Sequence, residues 1–494
     1  MIKTPKKLSL LILIILLSCH GSSHLVYNDN RDQGLIDPVT DIISYLSSPE
    51  LDGRLSGSEG YNLAADFIAQ QFSEIKLLPI TDRLGETVYR QYFTIEYNQI
   101  IAPSSFDLVD SASITTEYIL NKDYLFRGFT GSGDFVAPVT FCGYGISAPE
   151  NGYDDYESVD LRNKVALMFK EVPTWPSPNV NWQEYNFPRV KAKMAANHGA
   201  VGVLFVSHPE AWLPGIFGSV AHGPADYLPK IPQLHVTASV ADDLFQFNEH
   251  TLESVRTLID SLHSPISFDL NRTVRIIANN NYRRDGTTSN VIGKLPGSDR
   301  TLTHEYLVVG AHLDHVGRQS RDVYFPGAND NASGVACMLQ IAQKLIQQRE
   351  QLYRSIIFIA FAGEESGLEG STYFMKNSII DPQQIKAMIN LDCVGRGDSI
   401  RVHGGQNNPE FYALLKKHGT DYNLLSRKSG KGGGADAQPF HEANIPTFYF
   451  VTTNGYQHLH KSTDTVETID TSLILEVAAL ATEFITSLAQ YDMR

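Results

Sequence analysis

An α/β layer fold that carries a smaller, β-rich inserted domain is what this sequence predicts, and three observations predict it. From Asn290 onward, short and almost continuously apolar runs alternate with segments of helical period, the pattern of central strands covered on both faces. Between residues 131 and 268 the texture changes to brief β runs separated by glycine- and proline-rich loops. Finally, acidic residues and histidines appear abruptly at the ends of the later apolar runs, where open α/β sheets bind ligands.

The chain has 494 residues, 42% hydrophobic and 19% charged, which excludes a disordered protein and exceeds one ordinary core. A formal net charge of -15 repels phosphate and excludes nucleic acid as a natural partner. Lys3, Lys6 and Lys7 precede an uncharged run over 8–18. That run is shorter than the roughly 20 residues a spanning helix needs, so 1–18 reads as a signal peptide. Leu16-Leu17-Ser18-Cys19 resembles a bacterial lipobox. Lipidation of Cys19 would make it the mature N-terminus, anchored in the bacterial cell envelope, with 19–37 as a flexible tether; the alternative is an ordinary secretory signal and a secreted chain. The remaining cysteines, Cys142, Cys337 and Cys393, are odd in number and in no metal-finger spacing, so they read as small apolar core residues.

In chain order, 38–130 forms the first part of the larger domain. It opens on a helical pattern over 39–78, broken at Leu51-Asp52-Gly53-Arg54-Leu55-Ser56-Gly57-Ser58. Beyond the break, Ala64, Phe67, Ile68, Phe72 and Ile75 make one apolar face. Residues 88–130 alternate as strands do. The insert, 131–268, offers strands at 139–141, 165–169 and 201–206 and a helix at 190–198. The second part, 269–494, offers strands at 306–311, 355–362, 386–391 and 447–452, with an amphipathic helix at 332–348.

The polar clusters follow those strands. His312-Leu313-Asp314-His315 ends the first, and Gly327-Ala328-Asn329-Asp330-Asn331-Ala332-Ser333-Gly334 leads into the helix. Glu364-Glu365 follows the second strand, Asp392 the third, and His460 with Asp464-Thr465 the last. Imidazole and carboxylate together suit zinc without thiolate. One carboxylate bridging two ions, with a histidine and a carboxylate for each, makes a cocatalytic pair. A carboxylate outside the ligand set must then move the proton of the attacking water, and adjacent Glu364 and Glu365 divide those tasks. Asp314, two residues from His312 on an extended segment, is placed to accept the imidazole's other N–H.

These segments, with the A-G-E-E-S-G and N-L-D-C-V-G-R runs, closely resemble zinc aminopeptidases of the bacterial leucyl-aminopeptidase type, the family that also contains glutamate carboxypeptidase. The Asp52-Gly53-Arg54 turn is similar to that family's N-terminal element. The block with Gly143-Tyr144-Gly145-Ile146, Asp155-Tyr156 and Gly199-Ala200 resembles a protease-associated domain. The resemblance implies a three-layer zinc-peptidase fold and two Zn2+ ions per chain. His312, Asp330 and Asp392 would hold one, and Asp330, Glu365 and His460 the other. Glu364 would be the general base, the Asp330–Asn331 bond cis, and the substrates peptides with a free N-terminus. Two positions depart from the family: Ala437 stands where histidine is common and Leu459 where tyrosine assists the oxyanion, with Tyr456 close by. His315, His403, His441 and His458 read as ordinary histidines, His458 being the rival to His460 as ligand. The alternatives are a carboxypeptidase, which would need an arginine such as Arg396 for the substrate carboxylate, a one-zinc glutaminyl cyclase, and a receptor-like binding module, which would lack ligands that this sequence has.

Overall fold

Tyr306–His312 is apolar on both faces and lies at the middle of a mixed sheet. It runs parallel to Ser355–Phe361 on one side and to Ile385–Leu391 on the other. Thr447–Thr452 continues the parallel set, and Ile400–His403 closes that edge antiparallel. Past Ser355–Phe361 the sheet continues antiparallel into residues 291–295. One face, with Leu307, Val309, Ile356 and Phe358, packs on helices Glu59–Glu74, Gly334–Gln347 and Thr471–Gln490. The other, with Val308, Ile357, Ile359 and Met388, packs on Phe374 and Phe440 from the helices Glu369–Lys376 and Gln438–Glu442. Helix, sheet and helix make the three layers expected.

This computed structural model describes residues 38–81, 85–110, 114–208, 211, 215–221, 223, 225–419 and 424–493. The predicted signal peptide 1–18, Cys19 and the tether 19–37 lie outside the described residues. Thr471–Gln490 is long and apolar enough to cross a membrane. Its Leu473, Ile474, Val477, Leu480, Phe484 and Leu488 are buried in the main core instead.

The strand Ser267–Leu295 is 29 residues long and belongs to both halves of the molecule. Over 273–291 it pairs antiparallel with the full length of Arg90–Val109, with two register shifts. Its N-terminal part also pairs with Gly133–Cys142, from which Val165–Phe169, Gly202–Val206 and Gln233–Val236 continue in parallel. Tyr124–Phe126 closes that edge antiparallel. The apolar cluster of this second region draws Ile100, Phe106 and Leu108 from upstream of Gly131 and Val274 and Ile276 from downstream of position 268. A shared ribbon, not a pair of linkers, joins the two cores.

One local detail differs from the sequence expectation for a reason of geometry, and the turn expected at 51–58 is present. The helix expected from 332 begins at Gly334, because Asp330 (φ -111°, ψ 92°) and Asn331 (φ -132°, ψ 39°) are not helical. The Asp52-Gly53-Arg54 break is a tight turn in which Gly53 (φ +69°) lies so close to the chain that a Cβ would sit 2.3 Å from the Gly317 carbonyl oxygen. The following helix seats Gly60 on the same turn, where a Cβ would be 1.9 Å from the Leu51 oxygen. Gly60→Ala therefore forces backbone apart and should cost about 1–3 kcal/mol, read as a lower urea midpoint with unchanged slope.

Candidate metal centre

Neighbouring parallel strands place their C-terminal ends side by side, so the residues just past one strand meet those just past its neighbour. His312 ends the central strand, Glu364 and Glu365 follow Ser355–Phe361 on one side, and Asp392 follows Ile385–Leu391 on the other. Asp330 comes from the turn ahead of Gly334–Gln347, and His460 from beyond Thr447–Thr452. His312 Nε2 lies 3.2 Å from Asp330 Oδ1 and 3.5 Å from Asp392 Oδ1. His460 Nε2 lies 3.0 Å from Asp330 Oδ2 and 3.0 Å from Glu365 Oε2. The two oxygens of Asp330 thus face different imidazoles, each beside a second carboxylate. The five residues read from the sequence as ligands come together, His312, Asp330 and Asp392 in one group and Asp330, Glu365 and His460 in a second that His315 also joins.

The Asp330 turn is held from several sides. The Asp464 carboxylate accepts from the amides of Asn329 (3.0 Å) and Asp330 (3.1 Å). Asn331 Nδ2 donates to the Leu391 carbonyl at 2.9 Å, while its Oδ1 accepts from Gly334 N at 2.9 Å and Cys393 N at 3.2 Å. One asparagine therefore locks the Asp330 turn to the end of the strand that delivers Asp392. The Asp330–Asn331 peptide is cis. Beneath the centre Arg54 is completely buried. It donates to the carbonyls of Leu313 (2.9 Å), Pro326 (2.7 Å), Gly327 (3.0 Å) and Leu46. It thereby ties the His312 and Asp330 segments to the N-terminal turn, which is what the Asp52-Gly53-Arg54 signature does here.

Asp314 acts differently from the sequence expectation. His312 Nδ1 donates to the main-chain oxygen of Asp314 at 3.1 Å, and the carboxylate stands 3.9 Å away. That carboxylate instead accepts from the amides of Glu364 (3.2 Å) and Glu365 (3.4 Å). The backbone oxygen reaches the ring first, which frees the side chain to fix the Glu364-Glu365 turn. His315, read from the sequence as an ordinary histidine, is buried in the centre with Nδ1 2.7 Å from Glu365 Oε1. His458 turns away, Nδ1 2.8 Å from Thr463 Oγ1. Tyr449 donates to Asp392 Oδ2 at 2.9 Å. No motif signalled Tyr449, because it sits inside an apolar strand. The signal for His315 was its place beside the H-x-D.

Asp314, Asp330, Glu365, Asp392, Asp436 and Asp464 are all buried, and Glu364 is half-buried. Burial raises Asp330 and Glu365, but hydrogen bonds and charge from His312, His315 and His460 outweigh it and hold both carboxyls below their usual range. Burial would lower His312 and His460, and the surrounding carboxylates push both well above an ordinary imidazole. Burial, reinforced by Glu365, Asp436 and Asp392, pushes Glu364 well up. Asp314 and Asp436 rise to about 7, burial being the main cause.

His312 and His460 each present Nε2 to two carboxylate oxygens, and among the described residues Asp392 Oδ1 has no hydrogen-bond partner. Uncompensated buried carboxylates cost several kcal/mol each, and oxygen with imidazole nitrogen is the donor set of a borderline divalent cation. The residues present fit zinc. Asp464→Asn, which weakens the grip on the Asp330 turn, should lower divalent-cation affinity 10–100-fold, measured by competition with a chromogenic chelator.

Comparison with known proteins places this geometry. Residues 290–485 match peptidase family M28 and residues 132–244 match the PA domain. A probable leucine aminopeptidase of Arthroderma otae is 30% identical over 217 residues, 40% of this chain and 56% of that one. One of Trichophyton verrucosum is 27% identical over 215 residues. The chain thus spans about half the length of these curated relatives. Among solved structures, an aminopeptidase from Aneurinibacillus sp. strain AM-1 covers 91% of this chain and 92% of its own at 21% identity and TM-score 0.63. A peptidase M28 precursor from Shewanella amazonensis covers 92% and 94% at 18% and TM-score 0.65. The second pair carries the likeness of fold across the insert as well as the catalytic layers. Residues 290–485 therefore belong to peptidase family M28, and residues 132–244 are a PA domain inserted ahead of them.

Proposed function

We propose that this chain is a zinc-dependent aminopeptidase that removes N-terminal residues from peptides with two zinc ions, His312, Asp330 and Asp392 holding one and Asp330, Glu365 and His460 the other. The observation that carries the reading is the split of Asp330, Oδ1 toward His312 and Oδ2 toward His460. The M28 match and the names of the aminopeptidase relatives support the choice of reaction. Zinc ions bound there supply Lewis acidity to the scissile carbonyl and acidify the attacking water.

The chain's own groups do the rest. Glu364 stands beside the ligand set with part of its surface accessible, while Glu365 is buried. Glu364 is thus the carboxylate free to take the proton of the attacking water and return it to the leaving amine. Asp314 holds the amides of Glu364 and Glu365 and so fixes the base relative to the ligand beside it. Tyr456, whose phenol feels the charges of Asp392 and Asp330, brings a hydroxyl near the position that Leu459 leaves without one.

Arg396, the arginine a carboxypeptidase reading would use, directs Nε to Gln457 Oε1 (3.2 Å) and Nη1 to the Thr468 carbonyl (3.2 Å). It braces the chain around His460, and nothing else favours that second reading. Export rests on the sequence alone: Lys3, Lys6 and Lys7, the apolar run over 8–18, and Cys19 as lipid anchor.

Glu364→Gln should lower kcat about 10²–10⁴-fold on aminoacyl substrates while zinc content, by atomic emission, stays that of the parent. N-acetylated versions of the same peptides should not be cleaved; rapid cleavage of them would contradict an aminopeptidase. In a bacterial host the full chain should partition into the detergent phase of Triton X-114, and Cys19→Ser should move it to the aqueous phase.

A further inference from the structure

We infer that Gly218, in a loop of the inserted PA domain, is the positioning residue for His460, so that the insert forms part of one of the two cation sites. The inference rests on the two-cation reading above.

Gly218 grips His460 at both ends. Its amide donates to the His460 carbonyl at 2.7 Å, and its carbonyl lies 3.1 Å from His460 Nδ1. A carbonyl only accepts, so Nδ1 carries the proton, and Nε2 is left as the ligating nitrogen facing Asp330 Oδ2 and Glu365 Oε2. The main-chain bond matters too, because His460 sits at φ +54°, a conformation that a non-glycine residue keeps only when its surroundings hold it there.

The approach requires glycine. A Cβ at 218 would lie 2.8 Å from Val316 Cγ2 and 3.2 Å from Phe325 Cε1 and Cζ, groups next to His315 and to the start of the Asp330 turn. The preceding residue seats the loop on the insert. The Phe217 ring has Lys170 Nζ 5.0 Å and Arg127 Cζ 5.7 Å from its centroid, and it meets the His235 ring edge-on at 5.2 Å. Those residues stand at the ends of Val165–Phe169 and Tyr124–Phe126 and within Gln233–Val236. The Phe217 ring is also 6.5 Å from that of His460.

The centre is therefore asymmetric. His312 is oriented by the carbonyl of Asp314, two residues away in its own segment. His460 is oriented by a carbonyl 242 positions away in the sequence, on another domain. Disturbing the loop should loosen the cation held by His460 and spare the one held by His312.

The test is a stepwise cobalt(II) titration of the full chain against a competing chelator, with the d–d absorption followed at each step. Parent, Gly218→Val and Phe217→Ala are compared. One of the two dissociation constants should rise 10–100-fold in Gly218→Val while the other holds, with the same selective direction in Phe217→Ala, which leaves residue 218 glycine. Two unchanged constants in both variants would overturn the inference, as would equal weakening of both sites in Phe217→Ala. If Gly218→Val does not fold, Phe217→Ala decides alone. A parent that binds fewer than two ions defeats the two-cation reading itself, a result distinct from intact double binding in the variants.

Discussion

Asp330 has to turn its two oxygens toward different imidazoles inside a cluster of buried carboxylates, and much of the structure answers to that demand. A carboxylate so placed is unstable without both firm hydrogen bonding and positive charge nearby. Asp464 supplies the hold on its backbone, Asn331 locks its turn to the neighbouring strand, and Arg54 grips the carbonyls just before it. The glycines that flank the turn are there for space. A Cβ at Gly327 would meet the Asp330 carbonyl oxygen at 2.3 Å, and one at Gly334 the Asn331 Oδ1 at 2.2 Å. The G-A-N-D-N-A-S-G signature is thus a packing solution around one aspartate.

The insert is continuous with this centre in two ways. The strand Ser267–Leu295 runs from the insert's sheet into the catalytic sheet, and its register fixes the insert's sheet against the peptidase layers. The Phe217-Gly218 loop then reaches across to His460. A domain joined by a long shared strand has little freedom to drift, and that rigidity is what a backbone contact to a candidate ligand needs. Tyr227, from the insert, stacks on Tyr282 of the shared strand with centroids 3.7 Å apart. Arg189 pairs with Glu96 of the neighbouring strand while lying over Phe129.

The sequence made the catalytic layers legible because buried parallel strands are apolar on both faces and end abruptly in polar residues. Tyr306–His312, Ser355–Phe361, Ile385–Leu391 and Thr447–Thr452 were all placed to within a residue or so of their observed ends. His312, Glu364, Glu365 and Asp392 were legible for the same reason, each at such an end, whereas Asp330 and His460 stand in turns farther along and were legible from their motifs. What escaped were contacts made by backbone atoms, which leave no trace in residue type: the Asp314 carbonyl doing what its carboxylate was expected to do, and the Gly218 carbonyl reaching His460. Tyr449 escaped because a tyrosine within a strand looks like core. The long ribbon escaped because Ser267–Leu295 mixes apolar residues with Asn279, Asn280, Asn281, Arg283 and Arg284 and so lacks the continuous apolar run that marks a central strand.

The most direct test of the account is anomalous diffraction at the zinc edge from crystals of the full chain. Two peaks about 3.5–4 Å apart, one against His312 and Asp392, the other against Glu365 and His460, with Asp330 between them, are the expected result. A single peak, or metal bound away from Asp330, would contradict it.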